Sequence, residues 1–150
     1  AEVKYASGDE IYKAERETEI LARLSEDVAP ELKIEYTAFV RKMMEVARKY
    51  EYGLIYDWNP EVVQPILAEA EESGNGYVKM ELTRPNQLNG ASAILAMIGD
   101  YGFHMKDFKV LEENQKEARF QLVIRGELQD EAMKKLLYQL SKESKNFHVL

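Results

Sequence analysis

Three charged side chains near the start of the chain have the types and spacing of a site for a small dianion. Lys4 is followed twelve residues later by the adjacent pair Arg16-Glu17, with a turn containing Gly8 between them. Lysine and arginine donate charge-assisted hydrogen bonds, whereas a glutamate accepts a hydrogen bond from a hydroxyl group. Charged residues at these spacings are also typical of an ordinary solvated helix face, so the residues alone leave both interpretations open.

Two predicted helices would position these side chains. The first covers 14–24, where Arg16 and Glu17 are followed by apolar residues at Ile20, Leu21 and Leu24. The second begins near Pro30, runs for about five turns and is expected to end at Gly53, before an apolar connector at 54–58. Its apolar residues recur at steps of three and four, which predicts one stripe made of Leu32, Tyr36, Phe39, Val40, Met43, Val46, Ala47 and Tyr50. Two short helices do not enclose a core, so we expect this half to pack against a partner chain or another helix.

The order of these residues resembles the all-helical chorismate mutase family. In that family a lysine ends a long first helix, an Arg-Glu pair opens the second, and the third ends in a Ser-Arg-x-Tyr-Gln-like signature. The matching residues here, within about 1–52, are Lys4, Ile11-Tyr12, Arg16-Glu17 and the run Met-Glu-Val-Ala-Arg-Lys-Tyr-Glu at 44–51. This chain departs from the pattern at Lys13, where an acid is common, at Ala47, which replaces the serine, and at Glu51, which replaces the glutamine.

The resemblance implies an isomerase that converts chorismate to prephenate in one pericyclic step, without a nucleophile, a metal or any other cofactor. Such an enzyme holds a flexible dianion in its reactive shape and stabilises the charge that develops on the ether oxygen. By resemblance, Arg16 would bind a carboxylate and Lys4 would contact the ether oxygen and a carboxylate. Glu17 would accept from the ring hydroxyl, and Glu51 would face the ether oxygen, unless it is an exposed acid at a helix end.

The family also implies a helix before the position of Lys4 that carries two further substrate-binding arginines. The sequence begins at Ala1 without that helix. We therefore expect these 150 residues alone to have little or no mutase activity, because the site depends on electrostatic stabilisation.

The residue pattern of the second half of the sequence predicts a small domain in which strands and helices alternate. The run Ser-Gly-Asn-Gly at 73–76 is the clearest boundary, and a helical linker over 59–75, capped by Asn59 and kinked at Pro65, leads up to it. Beyond it, period-two alternation predicts strands around Val78, Met80 and Leu82 and around Phe120, Leu122 and Ile124. The other predicted elements are a helix over 91–101, a strand over 103–111, a helix that begins at Asp130 and a strand over 147–150.

The order strand, helix, strand, strand, helix, strand is the ferredoxin-like split βαβ arrangement, with both helices on one face of an antiparallel sheet. The sequence therefore predicts an α+β protein with a helical part over 1–58, the linker, and a ferredoxin-like domain over 76–150.

This second half resembles the ACT domains, small ligand-sensing domains that regulate enzymes of amino-acid metabolism. The likeness spans about 76–150 and rests on the runs Asn-Gly-Ala-Ser-Ala-Ile-Leu at 89–95 and Asp-Tyr-Gly-Phe-His-Met at 100–105. It implies an amino-acid effector bound near Asn89, Gly90 and Ala91, where amides at a helix start could receive a carboxylate. Leu88-Asn89 and Lys109-Val110-Leu111 depart from the usual Pro-Gly and Glu-Ser-Arg motifs, so phenylalanine is expected to bind weakly at best.

Composition limits the other function classes. The 150 residues are 45% hydrophobic, which suits one ordinary domain or two small ones, and 20 basic against 27 acidic residues give a net charge of −7. That charge offers no basic surface for a nucleic acid. The chain has no cysteine and only two histidines, which excludes disulfides, thiolate metal sites and a histidine-rich metal cluster. No apolar run approaches the ~18 residues of a membrane span, and no signal peptide is visible, so a cytoplasmic location is expected.

Two function classes remain open. The first is a chorismate mutase with a fused regulatory domain, and the second is a non-catalytic module that binds a small metabolite. In either case we expect a homodimer, because the helical stripe and one face of the sheet would otherwise leave apolar surface uncovered. No nucleic acid and no membrane are expected as partners.

The Glu51 substitution gives a testable pH dependence in a form of the protein that includes the preceding helix. An ionised carboxylate only accepts hydrogen bonds, so Glu51 would donate to the ether oxygen only when protonated. A glutamate pKa starts near ~4.3, and burial beside a substrate dianion raises it, so kcat/KM should fall as the pH rises through the raised pKa. Glu51→Gln should remain active at neutral and alkaline pH. Two pH profiles of the same shape would place Glu51 outside the site.

Overall fold

The computed structural model describes residues 14–70 and 75–150 and shows an α+β protein. The chain divides into two compact units, which we call the helical unit, up to Trp58, and the sheet unit, Asn59–Leu150. Across the described ranges, no helix is both long enough and apolar enough to cross a membrane.

Over residues 14–58, the helical unit has two helices joined by a short turn. Helix α1 covers Ala14–Ser25, a 3-10 turn covers Pro30–Leu32, and helix α2 covers Lys33–Trp58. The prediction that α2 ends at Gly53 is wrong, because the helix continues to Trp58. A glycine inside a helix costs about 1 kcal/mol relative to alanine. Burial of Tyr52, Ile55 and Tyr56 around this glycine outweighs that cost, since each large side chain contributes about 1.5–3 kcal/mol.

Most of the predicted apolar stripe of α2 is exposed, although Val40 is buried and Tyr36 is half-buried. The residues of the stripe that are at least half exposed are Leu32, Phe39, Met43, Val46 and Tyr50. Successive helical residues are 100° apart, and this spacing puts the buried residues Arg48, Tyr52 and Ile55 on the opposite face of the helix. The face of α2 with the clearest apolar period is therefore not the face that this unit buries.

The sheet unit is built on four antiparallel strands in the spatial order β2-β3-β1-β4. The two central strands, β1 and β3, pair over nine residues, from Tyr77 opposite Arg125 to Pro85 opposite Glu117. The predicted order of strands and helices is found. The bounds are Tyr77–Pro85 for β1, Met105–Glu113 for β2, Glu117–Arg125 for β3 and Lys145–Val149 for β4. The two long helices are α4, Gly90–Asp100, and α5, Glu131–Lys142.

The core lies between one face of this sheet and helices α4 and α5. Alternate residues of β1 and β3 point to this face, and both helices contribute their apolar sides to the same cluster. The core side chains with no exposed surface are Met80, Leu82, Ile94, Leu122, Ile124, Met133, Leu136, Leu137 and Leu140. The predicted strand patterns around residues 78–82 and 120–124 therefore identified the buried face.

The segment predicted as a helix from Asn59 towards Ser73 is shorter and more irregular than expected. It forms a 3-10 turn over Pro60–Val63 and helix α3 over Gln64–Ala68, and the side chain of Asn59 does not cap the turn. Pro65 lies in the first turn of α3, where a proline needs no hydrogen-bond partner, so it starts a helix instead of kinking one. Ile66 and Leu67 pack against the core of the sheet unit.

The face of the sheet opposite α4 and α5 is mainly polar. Its strand residues, which alternate with the core positions, include Lys79, Glu81, Arg119, Gln121 and His148, together with Tyr77, Thr83 and Val123. Of the two surfaces expected to be apolar, the α2 stripe has exposed large apolar side chains and this sheet face is dominated by polar and charged ones.

We predict that the exposed stripe of α2 makes the chain a dimer. Phe39→Glu places a charge in the stripe and should shift the chain towards monomer, because a charge buried at an apolar interface is costly. Light scattering across a dilution series measures the change. Arg41→Glu is the control, since Arg41 is exposed and lies on the opposite side of the helix. A wild-type monomer at micromolar concentration, or equal effects of the two substitutions, would contradict this prediction.

Candidate functional site

An ion pair between helices α1 and α2 brings the two charged motifs of the helical unit together. Arg48 Nη1 donates to Glu17 Oε1 at 2.5 Å and to Glu17 Oε2 at 2.6 Å. The Arg48 side chain is 11% exposed and the Glu17 side chain 23% exposed, so solvent screens the pair less than a surface salt bridge. Glu17 stands in the first turn of α1, where the helix dipole favours an acid.

The other candidate residues of this unit have different environments. Glu51 is half-buried and lies one turn beyond Arg48, so the two side chains share one face of α2. Arg16 is exposed at the start of α1, next to Glu17 in the chain but about 100° around the helix from it. Lys4 lies outside the described residues. The structure thus brings Glu17, through Arg48, to the face of α2 that carries Glu51, while Arg16 is open to solvent.

The candidate effector residues Asn89, Gly90 and Ala91 form the start of helix α4. The Asn89 side chain makes no capping hydrogen bond, and the Gly90 amide donates to the Gln87 carbonyl at 3.0 Å. Gly90 is buried, and a Cβ atom there would lie 3.6 Å from the Pro85 carbonyl oxygen. The end of β1 and the start of α4 are therefore in close contact, and the first turn of α4 has no side-chain cap.

A buried arginine lies at that same end of β1. Arg84 follows Val78, Met80 and Leu82 in the alternation of β1, and its cross-strand neighbour on β3 is the buried Ala118. It is 7% exposed, and its Nη1 has no hydrogen-bond partner among the residues that the structure describes. Arg84 Nη1 is thus a buried donor without a described acceptor.

A chain of hydrogen bonds runs through the interior between helix α5 and the end of α4. The Tyr101 hydroxyl donates to Gln139 Oε1 at 2.7 Å, and Gln139 Nε2 donates to Glu143 Oε2 at 2.7 Å. Gln139 has no exposed surface and Glu143 is 3% exposed. Burial, with a smaller contribution from the charge of Glu143, raises the pKa of the Tyr101 phenol above its ordinary value. The phenol therefore remains a neutral donor throughout the physiological pH range.

A polar groove of about 580 Å³ lies on the face of the sheet opposite α4 and α5. Arg119 in this groove bonds Glu81 at 3.1 Å and Glu112 at 3.2 Å, and the Lys145 ammonium group bonds Glu117 at 3.2 Å. Each of these cations already has a carboxylate partner, so the groove resembles a solvated charge network more than a ligand site.

Sequence reasoning missed Arg48, Arg84 and the Tyr101–Gln139–Glu143 chain. The burial of Arg84 could have been predicted from the sequence. Arg84 follows Leu82 by two residues, so it lies on the same side of β1 as the buried residues Met80 and Leu82. Arg48 stands three residues before Glu51, which places the two on one helix face. The tyrosine chain had no local signal, since Tyr101 and Gln139 are 38 residues apart.

Comparisons with known proteins give little additional information. No protein-family model matches the sequence, and no curated protein matches it. Among solved structures, a similar chain is described as "GqqA, a novel type of quorum quenching acylases", with a TM-score of 0.47 and 20% sequence identity. The match covers 55% of this chain and 44% of that chain, so this chain spans less than half of its length. A likeness of this size supports no conclusion about fold or function.

The raised pKa of Tyr101 predicts a loss of stability at alkaline pH. The native state keeps the phenol proton after the unfolded chain releases it, so the contribution is intact below about pH 10 and is lost as the pH rises above that value. Tyr101→Phe should make the free energy of unfolding fall less steeply above pH 10. At neutral pH the variant should be less stable by about 1 kcal/mol, because Gln139 loses a hydrogen bond.

Urea unfolding between pH 8 and pH 11 measures both effects. Tyr50→Phe is the matched control, since Tyr50 is exposed, and it should not change the slope. Equal slopes for wild type and Tyr101→Phe would show that burial of this phenol does not govern the alkaline transition.

Proposed function

We propose that the helical unit provides part of a chorismate mutase site and that the sheet unit is an ACT-like regulatory domain for it. The observation that carries the proposal is the ion pair between Glu17 and Arg48. The two sequence motifs that suggested the family lie on separate helices, 31 residues apart. Their contact supports a single site formed by both.

Within this proposal, Arg48 is a positioning residue for Glu17. Its guanidinium holds both carboxylate oxygens and so fixes the direction in which Glu17 faces. A carboxylate offers about four lone-pair sites, so Glu17 retains capacity to accept a hydrogen bond from the ring hydroxyl of chorismate. Arg16, which is exposed on the neighbouring turn, is available for a substrate carboxylate.

The remaining parts of the proposed site follow the family resemblance. Lys4 would contact the ether oxygen, Glu51 would donate to it when protonated, and further cations would come from a helix of the kind that precedes this lysine in the family. No metal or cofactor is needed, because the substrate rearranges by itself once it is held in its reactive shape.

The regulatory role of the sheet unit rests on the start of helix α4. Asn89 leaves the first turn without a side-chain cap, and amides at such a position bind carboxylates. An amino acid or a related metabolite bound there would act as the effector. The proposed location of the protein is the cytoplasm.

The second candidate is a non-catalytic module that binds a small metabolite. The observation that favours it is the same ion pair, because Arg48 already neutralises the acid that the mutase reaction would use. Under this alternative the ion pair is purely structural and joins α1 to α2.

Binding and turnover of chorismate distinguish the two candidates. We expect the 150-residue chain to bind chorismate in calorimetry and to convert it far more slowly than a complete mutase, since one lost oxyanion donor typically costs about 2.7–4 kcal/mol. Arg16→Ala should weaken binding about tenfold or more, because a hydrogen bond to a charged group contributes about 1.5–3 kcal/mol. Arg41→Ala, which removes another exposed arginine, is the control. Absence of chorismate binding, or equal affinities for wild type and Arg16→Ala, would support the non-catalytic module.

A further inference from the structure

The exposed apolar side chains of helix α2 follow a heptad repeat. From the turn before α2 onwards, the apolar positions are separated alternately by four and three residues, and we call them the seam: Leu32, Tyr36, Phe39, Met43, Val46 and Tyr50. Phe39 is 63% exposed and Tyr50 is 68% exposed. A mean spacing of 3.5 residues is the repeat of helices that pack as a left-handed coiled coil. The seam therefore fits another helix that lies almost along the axis of α2.

The two flanks of the seam differ in chemistry. The residues that recur at intervals of seven are Glu35, Lys42 and Lys49 on one flank and Val40, Ala47 and Leu54 on the other. If two copies of α2 packed in parallel, the charged flank of each copy would face the apolar flank of the other. In an antiparallel pair each flank faces its own counterpart, so charged residues meet charged residues and apolar residues meet apolar ones. The flanks therefore favour the antiparallel orientation.

The sizes of the seam side chains favour the same orientation. In an antiparallel pair that is symmetric about the middle of the seam, the facing pairs are Leu32 with the partner's Tyr50, Tyr36 with the partner's Val46, and Phe39 with the partner's Met43. Each layer then holds one aromatic side chain and one smaller apolar side chain. In a parallel pair identical residues would meet, so layers with two aromatic rings would stand beside a layer with two valines. Helices at a constant separation pack best when large residues face small ones.

The same register brings opposite charges together. Glu35 and Lys49 are each seven residues from Lys42, so two-fold symmetry about Lys42 places Glu35 opposite the partner's Lys49 at both ends of the seam. Lys42 faces its own copy near the axis. Its ammonium group lies 3.8 Å from the Glu45 carboxylate of the same helix, which reduces the repulsion between the two lysines.

We propose that a second copy of the chain packs on the seam through an antiparallel pair of α2 helices, with Leu32 against the partner's Tyr50. The seam spans about 27 Å at the rise of an α-helix. Arg48, which pairs with Glu17 on α1, lies on the opposite face of α2, so the seam and the contact with α1 use different faces. Over residues 14–58 each copy contributes two helices, and the interface is therefore a four-helix arrangement. This inference goes beyond the proposed function and does not depend on it.

Disulfide crosslinking of the 150-residue chain tests the orientation, because the sequence contains no cysteine and an introduced thiol reacts only with another introduced one. Leu32→Cys and Tyr50→Cys chains are prepared separately with tags of different mass, mixed, allowed to exchange subunits and oxidised. The mixture should form a disulfide between the two different chains. Each variant alone should form little, since the two copies of one residue would lie about 27 Å apart, far beyond the ~7 Å limit between Cα atoms.

Ile34→Cys is the matched control. Ile34 is exposed and lies two residues from Leu32, but it is on the side of the helix away from the seam. It should not crosslink to Tyr50→Cys or to itself.

Charge reversal tests the register without any cysteine. Glu35→Lys or Lys49→Glu alone places like charges opposite each other at both ends of the seam and should raise the dimer dissociation constant about three- to tenfold. The double variant restores opposite charges and should dimerise like wild type. In a parallel pair Glu35 and Lys49 do not meet, so the effects of the two substitutions would simply add. Sedimentation equilibrium across a dilution series measures these constants.

Several outcomes would overturn the inference. Disulfides within the separate Leu32→Cys and Tyr50→Cys samples would show a parallel pair. A monomeric wild type, or a dimer in which the mixed variants do not crosslink, would show that the seam is not the contact between two copies and is open to another occupant, such as a further helix. Equal crosslinking of Ile34→Cys would show random collision. None of these results depends on chorismate binding, so this inference and the proposed function fail separately.

Discussion

The structure of the sheet unit depends on the pairing of its two central strands. Strands β1 and β3 are in register over nine residues, and their alternate side chains Met80, Leu82, Leu122 and Ile124 have no exposed surface. A shift of one residue would turn all of them outward, so burial of this face fixes the register. The same register also buries a charged residue at one end of β1. Arg84 is the next residue in the alternation after Leu82, so it lies on the buried face of the strand.

The two buried arginines, Arg48 and Arg84, differ in whether their guanidinium nitrogens have a described acceptor. Arg48 in the helical unit holds a carboxylate at 2.5 and 2.6 Å in a part-buried ion pair. Arg84 in the sheet unit has no described acceptor for Nη1. The Glu17–Arg48 pair joins α1 to α2, whereas Arg84 Nη1 is a buried donor without an acceptor among the described residues.

The helical unit buries little of its own apolar surface. Its longest helix, α2, spans 26 residues, yet the side chains at its clearest apolar period are exposed. The buried face of α2 contains the Arg48 guanidinium, which pairs with Glu17 on α1, and two tyrosines, Tyr52 and Tyr56. Aromatic residues with a polar end suit such a surface, because they bury area and still offer a hydrogen-bonding group. The exposed stripe then remains as apolar area for a further packing partner.

The sequence by itself determined the α+β class, the order of strands and helices and the buried face of the central strands. These features follow from local periodicity, since strand residues two apart and helix residues three or four apart share a face whatever lies beyond them. It did not determine the end of α2, the length of the segment after Asn59 or the buried face of α2. These three features depend on which surfaces pack against other parts of the protein. Local helix propensity is too weak to determine them, because α2 continues through Gly53 although glycine disfavours a helix. Tertiary structure alone paired Glu17 with Arg48 and Tyr101 with Gln139, across 31 and 38 residues. It also left Arg84 Nη1 without an acceptor among the described residues, because whether a buried polar group is satisfied depends on atoms from distant parts of the chain that no local pattern records.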